Sequence, residues 1–196
     1  IMKERNGMGS VDLVEVHGGE AFIKQVSGQS HDSAGASVAK LLEWGHLSPL
    51  EFAGATFKVK CPIFVARQIM RHRTGKFMEL SLRYCDSELE FYTPKEIEGD
   101  AAYSATLTNC EVVYIRLLKK HGKGRGNELA RNILPVCTYT MFYMQMDIRN
   151  LMHFLVLRLS DDTQEETRDI ASQMLDLIEE QFPTIAKYVK EQIKAK

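Results

Sequence analysis

The sequence predicts a single mixed helix/sheet domain of the α+β class spanning residues 1–196, and three observations carry that prediction. Ala53, Ala55, Phe57, Val59 and Cys61 alternate with Thr56, Lys58 and Lys60, the period of two that marks a strand with one buried face. Tyr103, Leu107, Cys110, Tyr114 and Leu117 recur at helical spacing between Ala101 and His121. No Gly-x-Gly-x-x-Gly follows a strand and no Walker loop occurs, so the domain is not a Rossmann fold.

The elements follow in order. Val11 to Val16 alternates apolar and acidic residues and reads as a strand ended by Gly18 and Gly19. Residues 20–34 are polar and rich in Gly and Ser, so they read as a loop. Ser37 to Trp44 is a short helix stopped by Gly45. A polar turn, 45–52, leads into the alternating strand 53–61. Pro62 opens a helix at the position where its missing N–H costs nothing, and Gly75 ends it. Beyond Gly75 a loop is expected to aim Lys76, Glu79, Ser81 and Arg83 inward. Leu89 to Tyr92 is extended, and Gly122 closes the long helix that begins at Ala101. Asn127 is expected to cap a short helix, 128–134, that carries Arg131 and stops at Pro135. Thr138 to Met146 is aromatic and β-favouring, a second clear strand. Asp147 caps a helix over 148–159, and two more helices are expected over 163–181 and 183–196.

Composition limits function. Apolar residues make up 44% of the chain, enough for a packed core, and the net charge is −1. No global basic field would draw the chain to nucleic acid or to an anionic membrane, so any anion affinity must come from local clustering. No apolar run approaches the roughly 20 residues that span a bilayer. Ile1 to Gly9 holds no secretory apolar region, and the absence of Met at position 1 implies leading residues upstream. Cys61, Cys85, Cys110 and Cys137 are dispersed, which points to reduced thiols in the cytoplasm rather than to zinc or disulfides. The six histidines show no metal-ligand spacing, so no metal is expected.

The chemistry concentrates in residues 71–84, where Arg71, His72, Arg73, Lys76, Glu79, Ser81 and Arg83 follow the apolar run 62–66. Charges fed by a buried element sit at the mouth of an anion site, and guanidinium forks suit phosphates and imide carbonyls. Gln68, Arg71 and His72 share one helix face. Ser81 has no adjacent base and sits in no Gly-x-Ser-x-Gly elbow, so a serine hydrolase is excluded. Arg149 and His153 share a face of the helix 148–159, and Arg158 points to the opposite side. Both arginines lie among Leu151, Met152, Phe154, Leu155, Val156 and Leu157, so each needs a partner. A carboxylate from the acidic late helices is one partner. Ligand anions are the other, favoured because two arginines face opposite ways beside a further arginine cluster.

Arg71-His72-Arg73, seven residues, then Ser81 resembles the Arg-His-Arg-x7-Ser signature of the flavin-dependent thymidylate synthases. Gly45-His46-x-Ser48-Pro49, the helix 62–68, Glu79 to Tyr84, Arg131-x-x-Leu134-Pro135 and the segment from Arg149 to Arg158 also resemble that family. The resemblance implies that family's mixed fold, distinct from classical thymidylate synthase, in a homotetramer with active sites between subunits. It implies a methyltransferase making dTMP from dUMP, with methylenetetrahydrofolate as carbon donor and NADPH as reductant through FAD. By position, Gln68, Arg71, Glu79, Ser81, Arg83, Arg131 and Arg158 would hold dUMP. Ser48, Arg71, His72, Arg73, Glu79, Asp147, Arg149 and His153 would hold FAD. Arg158, Ser81 and His46 would be the catalytic positions, with Arg158 engaging the uracil ring and His46 on the folate or nicotinamide path. The pattern departs from the family at Lys76, Met78, Phe52, Asp147 and His153. Two other readings stand beside this one: a non-enzymatic nucleotide- or nucleic-acid-binding protein, and a flavoenzyme acting on another acceptor.

Overall fold

In the computed structural model, residues 8–30, 34–84 and 89–195 are described, so Cys85 and His31 lie outside the described residues. The centre is a four-stranded antiparallel sheet in the order β1-β2-β4-β3, formed by β1 (Ser10–His17), β2 (Gly54–Pro62), β3 (Lys76–Glu79) and β4 (Tyr139–Asp147). The middle strands run in full register from Gly54 opposite Asp147 to Pro62 opposite Tyr139. The alternation seen in the sequence is the pleat. Ala55, Phe57, Val59 and Cys61 on β2 and Phe142, Met144 and Met146 on β4 are buried, while Lys58 and Tyr143 face outward.

The inner face packs on α3 (Ile63–Met70), α6 (Ile148–Arg158) and α7 (Glu165–Ile178) through Ile69, Phe154 and Met174, and α8 (Pro183–Lys194) packs behind them on α6 and α7. On the outer face Met78 and Tyr143 are exposed at 73% and 45%. Ser37 caps α2 (Val38–Trp44), and Gly45 ends it at φ 69°, a left-handed conformation that glycine adopts without steric cost. Asp147 caps α6 by accepting from the Asn150 N–H at 2.9 Å. Asp100 caps α4 (Ala101–His121), whose buried member is Tyr114.

Several expectations are corrected. Residues 20–27 are not a loop but α1 (Glu20–Ser27), which buries Ile23. The Glu20 carboxylate holds α1 to the start of α8 by accepting from the Thr184 N–H and hydroxyl, both at 2.6 Å. Pro62 is not inside α3. It ends β2 and stands as the cap before α3, with extended ψ 149°. The helix stops at Met70, so Arg71 to Arg73 lie beyond its last turn. Lys76 to Glu79 are strand rather than loop, because β3 completes its ladder against β4 from Gln145 to Phe142. Asn127 does not cap a helix. It is buried inside α5 (Arg125–Ala130), and Arg131 to Ile133 continue as a 3-10 turn. The helix expected over 163–181 spans only Glu165–Ile178, with Gln164 just before it.

Candidate active site

Two concavities flank α6 and α3. The first, of about 470 Å³, is walled by Ala66, Arg67 and Met70 of α3 and by Glu79 and Ser81 at the end of β3. Arg131 and the β4 residues Tyr139 and Thr140 close it. It therefore gathers Glu79, Ser81 and Arg131 as anticipated and adds Arg67, which the sequence showed only as a polar break in an apolar helix. The nearly buried Thr140 hydroxyl donates to Glu79 Oε1 at 2.7 Å and fixes that carboxylate at the rim. Arg131 is exposed, with no carboxylate partner among the described residues. Ser81 Oγ accepts from the Arg83 N–H at 3.4 Å, a weak contact that leaves the hydroxyl without a general base.

The second concavity, of about 460 Å³, is lined by Leu47, Glu51, Arg149, Asn150, Met152, His153, Val156, Tyr188 and Gln192. Arg149 and His153 share it, as their spacing implied. Arg149 is not buried: its side chain is 47% exposed and it pairs with Glu51. α6 is thus apolar on the core side only, since His153 and Leu157 are also exposed. Tyr188 and Gln192 reach the cavity from the last helix, whose contribution no local sequence signal marks.

Arg158 lines neither cavity. It faces away from Arg149, and one NH2 group donates to the Gln68 carbonyl oxygen at 2.8 Å. Its Nε is buried with no partner among the described residues. Burial pulls the guanidinium below its ordinary pKa, although it remains a cation at neutral pH. The second buried orphan is His72 Nε2. The His72 ring lies 5.4 Å from the His153 ring and packs edge-on against Phe154 at 5.5 Å. Desolvation first, then the charges of His153 and Arg158, hold the His72 pKa below its usual value, against a backbone hydrogen bond at Asn150 and the charge of Asp147.

The sign of that shift gives a testable consequence. The folded state binds its proton below 6.5, the unfolded chain's value, so the stabilisation is complete above that pH and is lost as pH falls. The melting midpoint is expected to drop between about pH 7.5 and about pH 5.5, and the drop to shrink in His72→Gln. Equal slopes in the two proteins would contradict the assignment.

Not all the anticipated residues converge. Arg71 and Arg73 are exposed beyond α3, and neither lines either cavity. Arg83 is held by Glu128 at 2.9 Å and lies over the Tyr84 ring, 5.0 Å from its centroid. The hydrogen bond from Arg125, then that from Arg83, keeps the Glu128 carboxyl below the usual range. Gln68 is engaged with Thr167 of α7 and with Gln164 just before that helix. His46 is exposed next to Trp44, with rings 6.2 Å apart, and Ser48 is exposed at the start of a 3-10 turn. Asp147 is committed to capping α6. Among the described residues no cluster of His, Cys, Asp and Glu could hold a metal ion.

A flavin fits what is present. A cavity with an arginine at its edge beside two histidine rings suits a planar, phosphate-bearing group, and His72 Nε2 is a buried polar atom with no partner among the described residues.

Comparison with known proteins gives the same direction. A family model described as thymidylate synthase complementing protein matches residues 13–184. A flavin-dependent thymidylate synthase of Thermus thermophilus is 34% identical over 197 residues, covering 89% of this chain and 73% of the relative. One from Treponema denticola is 36% identical over 197 residues, covering 86% and 74%. Among solved structures, a UMP/dUMP methylase, PolB, from Streptomyces cacaoi bound with 5-Br UMP superposes with a TM-score of 0.83. It is 27% identical, with 95% of this chain and 96% of that chain covered. The chain belongs to the flavin-dependent thymidylate synthase family.

Proposed function

We propose that this protein converts dUMP to dTMP, taking the carbon from methylenetetrahydrofolate and reducing equivalents from NADPH. Family membership makes it a flavoprotein, with FAD as its cofactor. The observation that carries the mechanism is Arg158, pinned by one NH2 to the Gln68 carbonyl, with a buried Nε that has no partner among the described residues. Held this way, the guanidinium would meet the imide edge of uracil and stabilise its ionised N3 form, raising electron density at C5. No protein nucleophile is then required. In support, Cys61 is fully buried, with its thiol pushed up first by burial and then by the charge of Glu79, which keeps it protonated.

Arg67, Arg131 and Ser81 would take the nucleotide phosphate in the first cavity, and Glu79, steadied by Thr140, would bound it. Arg71, Arg83 and Gln68 complete the nucleotide set. Arg149 and His153, with Ser48, Arg71, His72, Arg73, Glu79 and Asp147, would hold FAD, which when reduced supplies the hydride for the transferred carbon. His46 stays on the folate or nicotinamide path. One cavity lies against α3 and the other against α6, which supports separate sites for two ligands. The exposed outer sheet face around Met78 and Tyr143 supports a homotetramer with sites completed between subunits. One continuous core supports reading residues 1–196 as one domain. No described helix is long and apolar enough to cross a membrane, and we place the reaction in the cytoplasm.

The structural relative's name raises one second reading, in which UMP is also methylated. Parallel assays with UMP and dUMP decide it: dUMP turnover alone supports the main reading, and equal turnover supports the second. For the cofactor, purified protein should be yellow and take up FAD. Arg149→Ala should weaken FAD retention by about tenfold, the scale of one charge-assisted hydrogen bond. Unchanged flavin content in that variant would refute the flavin role of Arg149.

A further inference from the structure

We infer that Thr167, with Gln164, is a positioning residue for Arg158, acting through Gln68 from the first turn of α7. This rests on the proposed role of Arg158. Thr167 is fully buried, and its hydroxyl donates to Gln68 Oε1 at 3.0 Å, across 99 residues of sequence. The Gln68 amide in turn donates to Gln164 Oε1, so Thr167 of α7 and Gln164 just before it grip one side chain of α3. The same Gln68 offers its main-chain carbonyl to Arg158 at 2.8 Å.

The core does not require this hydroxyl. Thr167 continues the apolar stripe of Ile170, Ala171, Met174 and Ile178, where a valine would pack equally well. A buried threonine on a helix usually bonds its own preceding turn. Here it reaches a neighbouring helix instead, at the end of α3 where Arg67 and Met70 wall the first cavity. Its grip fixes the last turn of α3, hence the carbonyl that aims Arg158, and it leaves Arg158 Nε free for a ligand carbonyl. Two polar residues at the start of α7 thereby set the direction of a guanidinium on α6 without touching substrate.

The test is Thr167→Val, which keeps shape and removes the hydroxyl, with Thr167→Ser as the rescue. Thr167→Val should lower kcat/KM for dUMP by about tenfold, the scale of one lost buried hydrogen bond, while flavin content and melting midpoint stay near the parent's. Thr167→Ser should restore it. Gln164→Ala, at the exposed helix end, releases the other half of the grip and should show the same loss. Parental kcat/KM in Thr167→Val, or no rescue by Thr167→Ser, overturns the inference. If the parent protein itself does not methylate dUMP, the proposed function falls and a crystal structure of Thr167→Val decides the inference alone. Arg158 displaced from the Gln68 carbonyl supports it, and Arg158 held as in the parent overturns it.

Discussion

Arg158→Ala is expected to lower dTMP formation by about 100- to 1,000-fold, the range for removing one preorganised group that stabilises developing charge. FAD content should be retained, because Arg158 points away from the cavity that holds Arg149 and His153. The size follows from placement. A guanidinium held by one carbonyl, with a buried Nε that has no partner among the described residues, is already oriented, so it meets a developing imide anion without reorganising, and partial burial reduces screening by water. Arg158→Lys should restore little, since an ammonium cannot bond the Gln68 carbonyl and an imide edge in the same planar fork. Steady-state assays alongside the flavin absorbance of each variant check this. Near-parental turnover in Arg158→Ala would remove the role assigned to it.

Phe154→Ala is expected to be the most damaging single change to the fold near the site, costing about 3–5 kcal/mol. Phe154 is fully buried in the core under the sheet. Its ring also packs edge-on against His72, so the cavity left behind opens beneath a residue of the proposed flavin set. Denaturant titration should show a lower midpoint with little change in slope. A loss below about 1 kcal/mol would show that the core closes over the gap.

What the sequence made legible was periodic or local. β2 and β4 stood out because one face of each is buried against helices, and Asp147, read as a cap, acts within three residues of its own position. α1 was missed because its support is distant: Glu20 bonds the start of α8, 164 residues away. Asn127 misled because a good capping residue is also a good buried polar residue, and α5 buries it. β3 was taken for a loop because Lys76, Met78 and Glu79 are exposed, so only its pairing with β4 defines it.

The site divides the same way. Glu79, Ser81, Arg131, Arg149 and His153 were named from motif and spacing, and they do line the two cavities. Their companions were invisible because each partner is remote in sequence: Glu128 for Arg83, Glu51 for Arg149 and Thr167 for Gln68, at 45, 98 and 99 residues. The exposure of Arg149 was misjudged for a related reason. Apolar neighbours along α6 suggested burial all round, whereas the helix presents Arg149, His153 and Leu157 to solvent.

The most direct test is dTMP formation from dUMP by the purified protein with FAD, methylenetetrahydrofolate and NADPH, each omitted in turn. The account predicts dTMP from the complete mixture and its loss on omitting dUMP, the folate or the reductant, or on stripping the flavin. No dTMP from the complete mixture, or undiminished dTMP from flavin-free protein, would contradict it.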